Sequence, residues 1–191
     1  MKIALYIAFQ NKSSIDCCKE IIDLISEDNQ LIIDSKVKNE LDESKRDSFI
    51  FFDSNEPIDS DIDFVFAIGG DGTILRSITY VKDSNIPILG VNTGRLGFLT
   101  SIQKESISDA ISQIKNKEYT VIERTILRVN LGSSNNVFAD YPYALNEITT
   151  VSYTHLRAHE TRHDLVCRLL LGLHCWVSTA GSLLSLSLIH I

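Results

Sequence analysis

Apolar and polar positions along this chain follow two periods that take turns. Residues 2 to 9 are almost wholly apolar and predict a first strand. Ile15, Cys18, Ile22 and Ile25 then recur at spacings of 3, 4 and 3. They predict a helix over about 14–28, capped from Ser13-Ser14-Ile15-Asp16. Leu31 to Ile33 predict a second strand. Residues 34–62 are acidic and weakly patterned, with one short candidate strand at Phe49 to Phe52. Phe64 to Ile68 form an unbroken apolar run, the signature of a strand buried on both faces. A helix over Thr73 to Val81 and a strand over Pro87 to Val91 follow. The next helix spans Ser106 to Lys115, turning Ile107, Ala110, Ile111 and Ile114 inward, with Ser106 and Asp109 as a capping pair.

Strands alternating with helices predict an α/β fold with a parallel, Rossmann-like sheet over residues 1–115. From Tyr119 the period changes. Val121, Ile122, Ile126, Leu127, Val129 and Leu131, and then Val137 to Val151, read as strands with no helix between them. Gly132-Ser133-Ser134-Asn135-Asn136 supplies a turn. Residues 116–150 are therefore expected to open a β-rich second domain. Ile126, Val129 and Ile148 are expected to lie uncovered on it.

Composition adds a seam near residue 151. All five histidines and the single tryptophan lie in the last 41 residues, whereas all ten lysines and all eleven asparagines precede them. Such a shift is unusual within one evolved domain, so residues 151–191 are expected to be foreign to it and to lack regular structure. Val151 to Gly172 and the closing Leu186 to Ile191 resemble translated adapter sequence. The net charge of −7 argues against nucleic acid or an anionic membrane as partner. Cys17 and Cys18 are adjacent, and Cys167 and Cys175 fall in the tail. No disulfide framework or zinc spacing emerges, which points to a reducing cytoplasm. The run Ile3 to Phe9 reads as a strand rather than a signal-peptide core, and no apolar stretch approaches the roughly 20 residues needed to span a bilayer.

The candidate chemistry sits where the run Phe64 to Ile68 ends in Gly69-Gly70-Asp71-Gly72-Thr73. Glycines let a ligand lie against the backbone and permit positive φ. The free N–H groups at the start of the next helix attract an anion, above all a phosphate. Asp71 opposes a bare phosphate, so it needs another task. It can hold Mg²⁺ through the metal's water shell, or accept a proton from an attacking hydroxyl. Both tasks belong to phosphoryl transfer. The bland alternative is a tight turn built from Gly and Asp. Neither of the better-known phosphate loops is present: there is no G-x-x-x-x-G-K-S/T, and Leu75 stands where a third glycine would close G-x-G-x-x-G.

Three further stretches narrow the reading. Ile86-Pro87-Ile88-Leu89-Gly90-Val91-Asn92-Thr93-Gly94-Arg95-Leu96-Gly97-Phe98-Leu99 resembles the second signature of the NAD kinases. Ala144-Leu145-Asn146-Glu147-Ile148 resembles their Asn-Glu motif, and Tyr119 to Thr125 resembles their entry into the β domain. The resemblance covers about residues 1–150, in order. It implies an α/β domain packed on a β-rich one. The implied reaction moves the terminal phosphoryl group of ATP, or of polyphosphate, to the 2′-hydroxyl of the adenosine ribose of NAD. It further implies Asp71 as general base, with Mg²⁺ on the phosphates, and Gly69, Gly70, Gly72 and Thr73 as the phosphate loop. Gly72 is implied as a backbone contact to the dinucleotide, Arg76 as a phosphate contact, and Asn146 and Glu147 as ribose and dinucleotide contacts. The stretch Asn92 to Gly97 is implied to shape the cleft wall without doing chemistry. Homo-oligomers are usual in the family. The later Asp-Gly pair and Gly-Ser-Thr-Ala-Tyr signature of the family have no recognisable counterpart here. The chain is therefore expected to be an inactive front portion.

Two other functions compete. His159-Glu160-Thr161-Arg162-His163 fits the H-E-x-x-H pattern of zinc peptidases, with His155 one turn earlier, but the pattern fixes only three positions and lies in the foreign tail. A non-catalytic nucleotide-binding module would keep the Asp71 loop alone.

Overall fold

The computed structural model describes residues 1–25, 29–56, 58–82, 84–94, 97–128, 143–145, 150–151, 169–170 and 184–190. The first compact unit comprises Met1–Arg124 and Ser185–Ile191. Its frame is a parallel sheet of β1 (Lys2–Ile7), β2 (Gln30–Asp34), β3 (Ile50–Phe52), β4 (Phe64–Gly69) and β5 (Ile88–Asn92) in the order β3-β2-β1-β4-β5. β1 pairs with β2 from Lys2↔Gln30 to Leu5↔Ile33, and with β4 from Ile3↔Phe64 to Ile7↔Ile68. The chain runs outward from β1 to β3, then returns to the other side of β1 through β4. The connection direction thus reverses between β1 and β4, and such a switch point opens a crevice at the carboxyl ends of the strands.

Every residue of β4 and β5 is buried, as expected of strands covered on both faces. Helix α1 (Lys12–Ile25) and helix α4 (Ile107–Asn116) cover one face. Cys17, Cys18, Ile21, Ile22, Ile107, Ala110 and Ile114 pack there on Leu5, Phe66, Leu89 and Val91. Helix α3 (Asp71–Val81) covers the other face. Gly90 shows the register, because a Cβ there would lie 2.5 Å from Ile74 Cδ1 and 2.9 Å from Thr100 Cα. Tyr80 of α3 stacks between Tyr6, at 5.9 Å, and Phe52, at 4.7 Å between centroids.

The weakly patterned stretch resolves into local pieces. A 3-10 helix (Ser35–Glu40) and the one-turn α2 (Glu43–Arg46) lead into the edge strand β3. Arg46 holds this turn by donating to the carbonyls of Leu41 and Asn39. Both expected caps are corrected. Asn11, not Ser13 or Ser14, caps α1, its Oδ1 accepting the Ser14 N–H at 2.8 Å. At α4, Ser106 makes no side-chain cap bond. The helix ends instead at Lys117, in the left-handed region at φ 61°, with Glu118 N–H donating to Gln113 O.

Beyond β5, the short β6 (Ile102–Gln103) pairs with its carboxyl half. Within the tail expected to lack regular structure, β11 (Leu184–His190) forms a strand, and Leu188 pairs with Ile88 at the other end of β5. Ile189 is fully buried and accepts a hydrogen bond from Ser101 Oγ at its carbonyl.

The second unit, Thr125–Leu184, carries most of the residues outside the description. β7 (Thr120–Arg128) pairs antiparallel with β8 (Tyr143–Leu145), Ile126 opposite Leu145. Ile126 is only 3% exposed, contrary to the expectation that it lies uncovered. β9 (Thr150–Val151) and β10 (Leu169–Leu170) form a separate parallel pair. The fold is mixed α/β with a mainly parallel central sheet. Within the bounds 116–150 of the expected β-rich domain, the described residues hold β7, β8 and the first residue of β9. Among those residues no helix is long and apolar enough to cross a membrane.

Candidate functional site

The carboxyl ends of β1, β4 and β5 bring three loops to one edge of the sheet: 8–11, the glycine turn at 69–72, and 93–100. The first is tied to its neighbours. Gln10 donates to Lys36 O, and Ser13 Oγ donates to Thr93 O at 2.8 Å. Beneath the rim, Lys36 Nζ bridges three strand ends through Ile7 O, Asp34 Oδ2 and Ser54 Oγ at 3.1, 3.2 and 2.8 Å. Asp34 is fully buried, and burial pushes its carboxyl above the usual range while Lys36 opposes the shift. This pair cross-braces the sheet.

At the turn itself, the three glycines differ. Only Gly69 takes a positive φ, 154°, and a Cβ there would meet Thr73 Oγ1 at 2.1 Å. Thr73 is buried, its side chain folded onto Gly69. Gly70 is extended at φ −99° and caps α3, and Gly72 lies within the first turn. A Cβ at either would meet nothing within 4 Å. The missing side chains of Gly70 and Gly72 therefore leave the start of α3 uncovered, whereas that of Gly69 makes room for Thr73. Arg76, one turn along, is exposed and holds its guanidinium 4.6 Å from the centre of the Phe9 ring.

Asp71 is the first residue of α3, partly exposed. Its carboxylate does not cap its own helix. It accepts three backbone N–H bonds from the loop after β5: Phe98 at 2.7 Å to Oδ2, and Leu99 and Thr100 at 3.0 and 3.2 Å to Oδ1. That loop is fastened from within. Asn92 Oδ1 accepts from Gly94 N–H at 2.7 Å, and Thr100 Oγ1 accepts from Asn92 Nδ2 and from Gly97 N–H, both at 3.2 Å. Asn92 and Thr100 are 2% and 6% exposed. The sequence reading assigned this loop a shape and missed its grip on Asp71. The glycine at 97 and the polar residues flanking the loop were the available signals.

The strand-turn-helix unit thus brings together Gly69, Gly70, Asp71, Gly72, Thr73 and Arg76. Asn146 and Glu147 lie outside the described residues, as do Arg95 and the rival set His155, His159, Glu160 and His163. Among the described residues, no three His, Cys, Asp or Glu side chains gather where they could hold a metal ion. The single partly exposed carboxylate of Asp71 suits a hydrated magnesium carried on a ligand's phosphates, not one caged by protein.

Residues 11–119 match the family described as the ATP-NAD kinase N-terminal domain. The NAD kinase of Flavobacterium johnsoniae is 36% identical over 152 residues, which are 78% of this chain and 52% of that protein. The NAD kinase of Methanothermobacter thermautotrophicus is 30% identical over 154 residues, 80% of this chain and 50% of that one. The chain spans about half the length of the curated relatives it matches. A crystal structure of yeast NADH kinase complexed with NADH shares the fold, with a TM-score of 0.56 at 18% identity over 76% of this chain and 45% of that one. The match over residues 11–119, more than half of the chain, places this chain in the ATP-NAD kinase N-terminal domain family.

Proposed function

We propose that this chain supplies the α/β portion of an NAD kinase, with Asp71 as the general base that takes the proton from the 2′-hydroxyl of the adenosine ribose. The observation that carries this reading is the setting of Asp71. It stands partly exposed at the head of a helix on the switch-point edge, beside the uncovered backbone of Gly70 and Gly72. An alcohol is a poor nucleophile at neutral pH, and a fixed carboxylate corrects that. As the hydroxyl oxygen bonds to the terminal phosphorus, the bond to the ADP leaving group breaks and the proton passes to Asp71. The N–H groups of the first turn of α3 face negative charge favourably, which suits a phosphate over Gly70 and Gly72. Arg76 adds a guanidinium one turn away, available to a phosphate once it leaves the Phe9 ring. Mg²⁺ bound with ATP would neutralise the phosphates. Asn146 and Glu147 complete the proposed contacts to the dinucleotide, their amide and carboxylate suiting vicinal hydroxyls. Polyphosphate is a second donor compatible with the same loop. A reducing cytoplasm is the compartment that the cysteine spacing in the sequence suggests, and a homo-oligomer is the assembly the family resemblance implies.

The test is NADP formation from NAD and ATP with magnesium, in an enzyme that joins residues 1–150 to the C-terminal half of a curated relative. Asp71→Asn should leave the fold intact and lower kcat by about 10²-fold or more. Near-normal turnover would remove Asp71 from the role of base.

A further inference from the structure

The Asp71 carboxylate is closely seated at this edge of the sheet. Its three N–H bonds come from residues 27 to 29 positions away. Gly97 sits directly against it, because a Cβ on Gly97 would lie 2.0 Å from Oδ1, 2.3 Å from Cγ and 2.5 Å from Oδ2. No side chain other than hydrogen fits there while the carboxylate holds its place.

The donors divide unequally. Among the described residues, Oδ1 receives Leu99 and Thr100, and Oδ2 receives Phe98 alone. A carboxylate offers about four lone-pair positions, two on each oxygen. Oδ1 is therefore filled, and Oδ2 keeps one position for a further donor. The loop that presents these N–H groups cannot drift freely. Thr100 Oγ1 ties its two ends by accepting from Gly97 N–H and from Asn92 Nδ2, and Asn92 Oδ1 holds Gly94 N–H.

We propose that Gly97, Asn92 and Thr100 are positioning residues: together they form a latched seat that fixes the Asp71 carboxylate and leaves Oδ2 as the oxygen open to the substrate hydroxyl. The inference rests on the reading of Asp71 as base. It assigns the loop after β5 a role in the orientation of that base. Fixing the carboxylate in advance removes the rotamer freedom that a base on a helix end would otherwise retain. Misplacement of a reacting group by about 1 Å is enough to cost on the order of 10²-fold in rate.

The seat is tested by amide hydrogen exchange and proton chemical shifts on the full chain. Asp71→Ala and Gly97→Ala should each lower protection of the Phe98, Leu99 and Thr100 amides by about 10-fold, the equivalent of one lost hydrogen bond. The double variant should be no worse than either single one, since both changes empty the same seat. Additive losses, or unchanged protection in Asp71→Ala, would overturn the proposal. Asp71→Asn, which keeps the shape and removes the charge, should move the Phe98 amide proton upfield; an unmoved signal counts against the seat. Thr100→Val removes the hydroxyl at nearly constant shape and should loosen the same amides. Thr100→Ser should restore them, and failure of that rescue also counts against the latch. The kinetic assay separates the two readings. Lost turnover in Asp71→Asn with additive exchange leaves the base and removes the seat. Normal turnover with fully coupled exchange removes the base, and with it the positioning role.

Discussion

At the scale of single residues, burial sets the chemistry of the groups away from the candidate site. Cys17 and Cys18 are fully buried on the inner side of α1, and burial pushes both thiols from 9.0 up to about 12. They are packing residues, not nucleophiles, since the reactive species is the thiolate. The sign of their linkage follows from the raised value. Below pH 9 the thiols are neutral in both states and their contribution is intact. Between 9 and 12 the unfolded chain releases protons that the folded chain retains, so stability falls as pH rises, by up to about 1.4 kcal/mol per pH unit for each thiol. Urea midpoints measured from pH 8 to 11 should decline less steeply in Cys17→Ala and Cys18→Ala than in the parent chain. Identical slopes would show that these thiols do not drive the alkaline limb. The setting of Asp71 was legible in sequence because strand, glycine turn and helix adjoin within ten positions. Its three N–H partners were not, because they lie 27 to 29 residues away and meet it only when β5 is laid beside β4.

Among elements, those with a strong period were legible and those held by individual polar bonds were not. β1, β4 and β5 read directly from unbroken apolar runs. Each is covered on both faces, so no polar residue interrupts it. The inward faces of α1 and α4 were equally plain, with Ile15, Cys18, Ile22 and Ile25, and Ile107, Ala110, Ile111 and Ile114, all buried. The caps escaped the pattern, since Ser, Asn and Asp near a helix start are interchangeable by type and only geometry chooses among them. Asn11 is the choice at α1. Asn11→Ala should lower stability by about 1 kcal/mol, and Asn11→Asp should recover most of it. Thermal unfolding of the two variants checks this, and equal losses in both would give Asn11 no capping role. Within 34–62 only the short strand near Phe49 to Phe52 was legible, found at Ile50–Phe52; the 3-10 helix and single-turn helix are too short to show a period. Asp34, Lys36 and Arg46 hold them through side-chain bonds instead.

At the scale of the whole molecule, phosphoryl transfer depends on positioning, and this chain spans 52% of the Flavobacterium relative. Joining residues 1–150 to the C-terminal half of that relative should raise NADP formation at least about 10²-fold over the 191-residue chain alone. Turnover by the chain alone in the usual range of roughly 1–10³ s⁻¹ would refute that expectation. The sequence by itself determined the alternation of buried strands and amphipathic helices, and hence the α/β class. It also marked the glycine turn that ends β4, because these are local patterns of hydrophobicity and backbone freedom. Tertiary structure alone decided the rest. The strand order sets the switch point between β1 and β4. The seating of Asp71 on the loop after β5 follows from placing β5 beside β4. Ile189, in a segment of quite different composition, is buried in the first unit. Each of these is a contact between residues far apart in the chain, and such contacts are selected by packing and hydrogen-bond satisfaction across the folded core, which no local window contains.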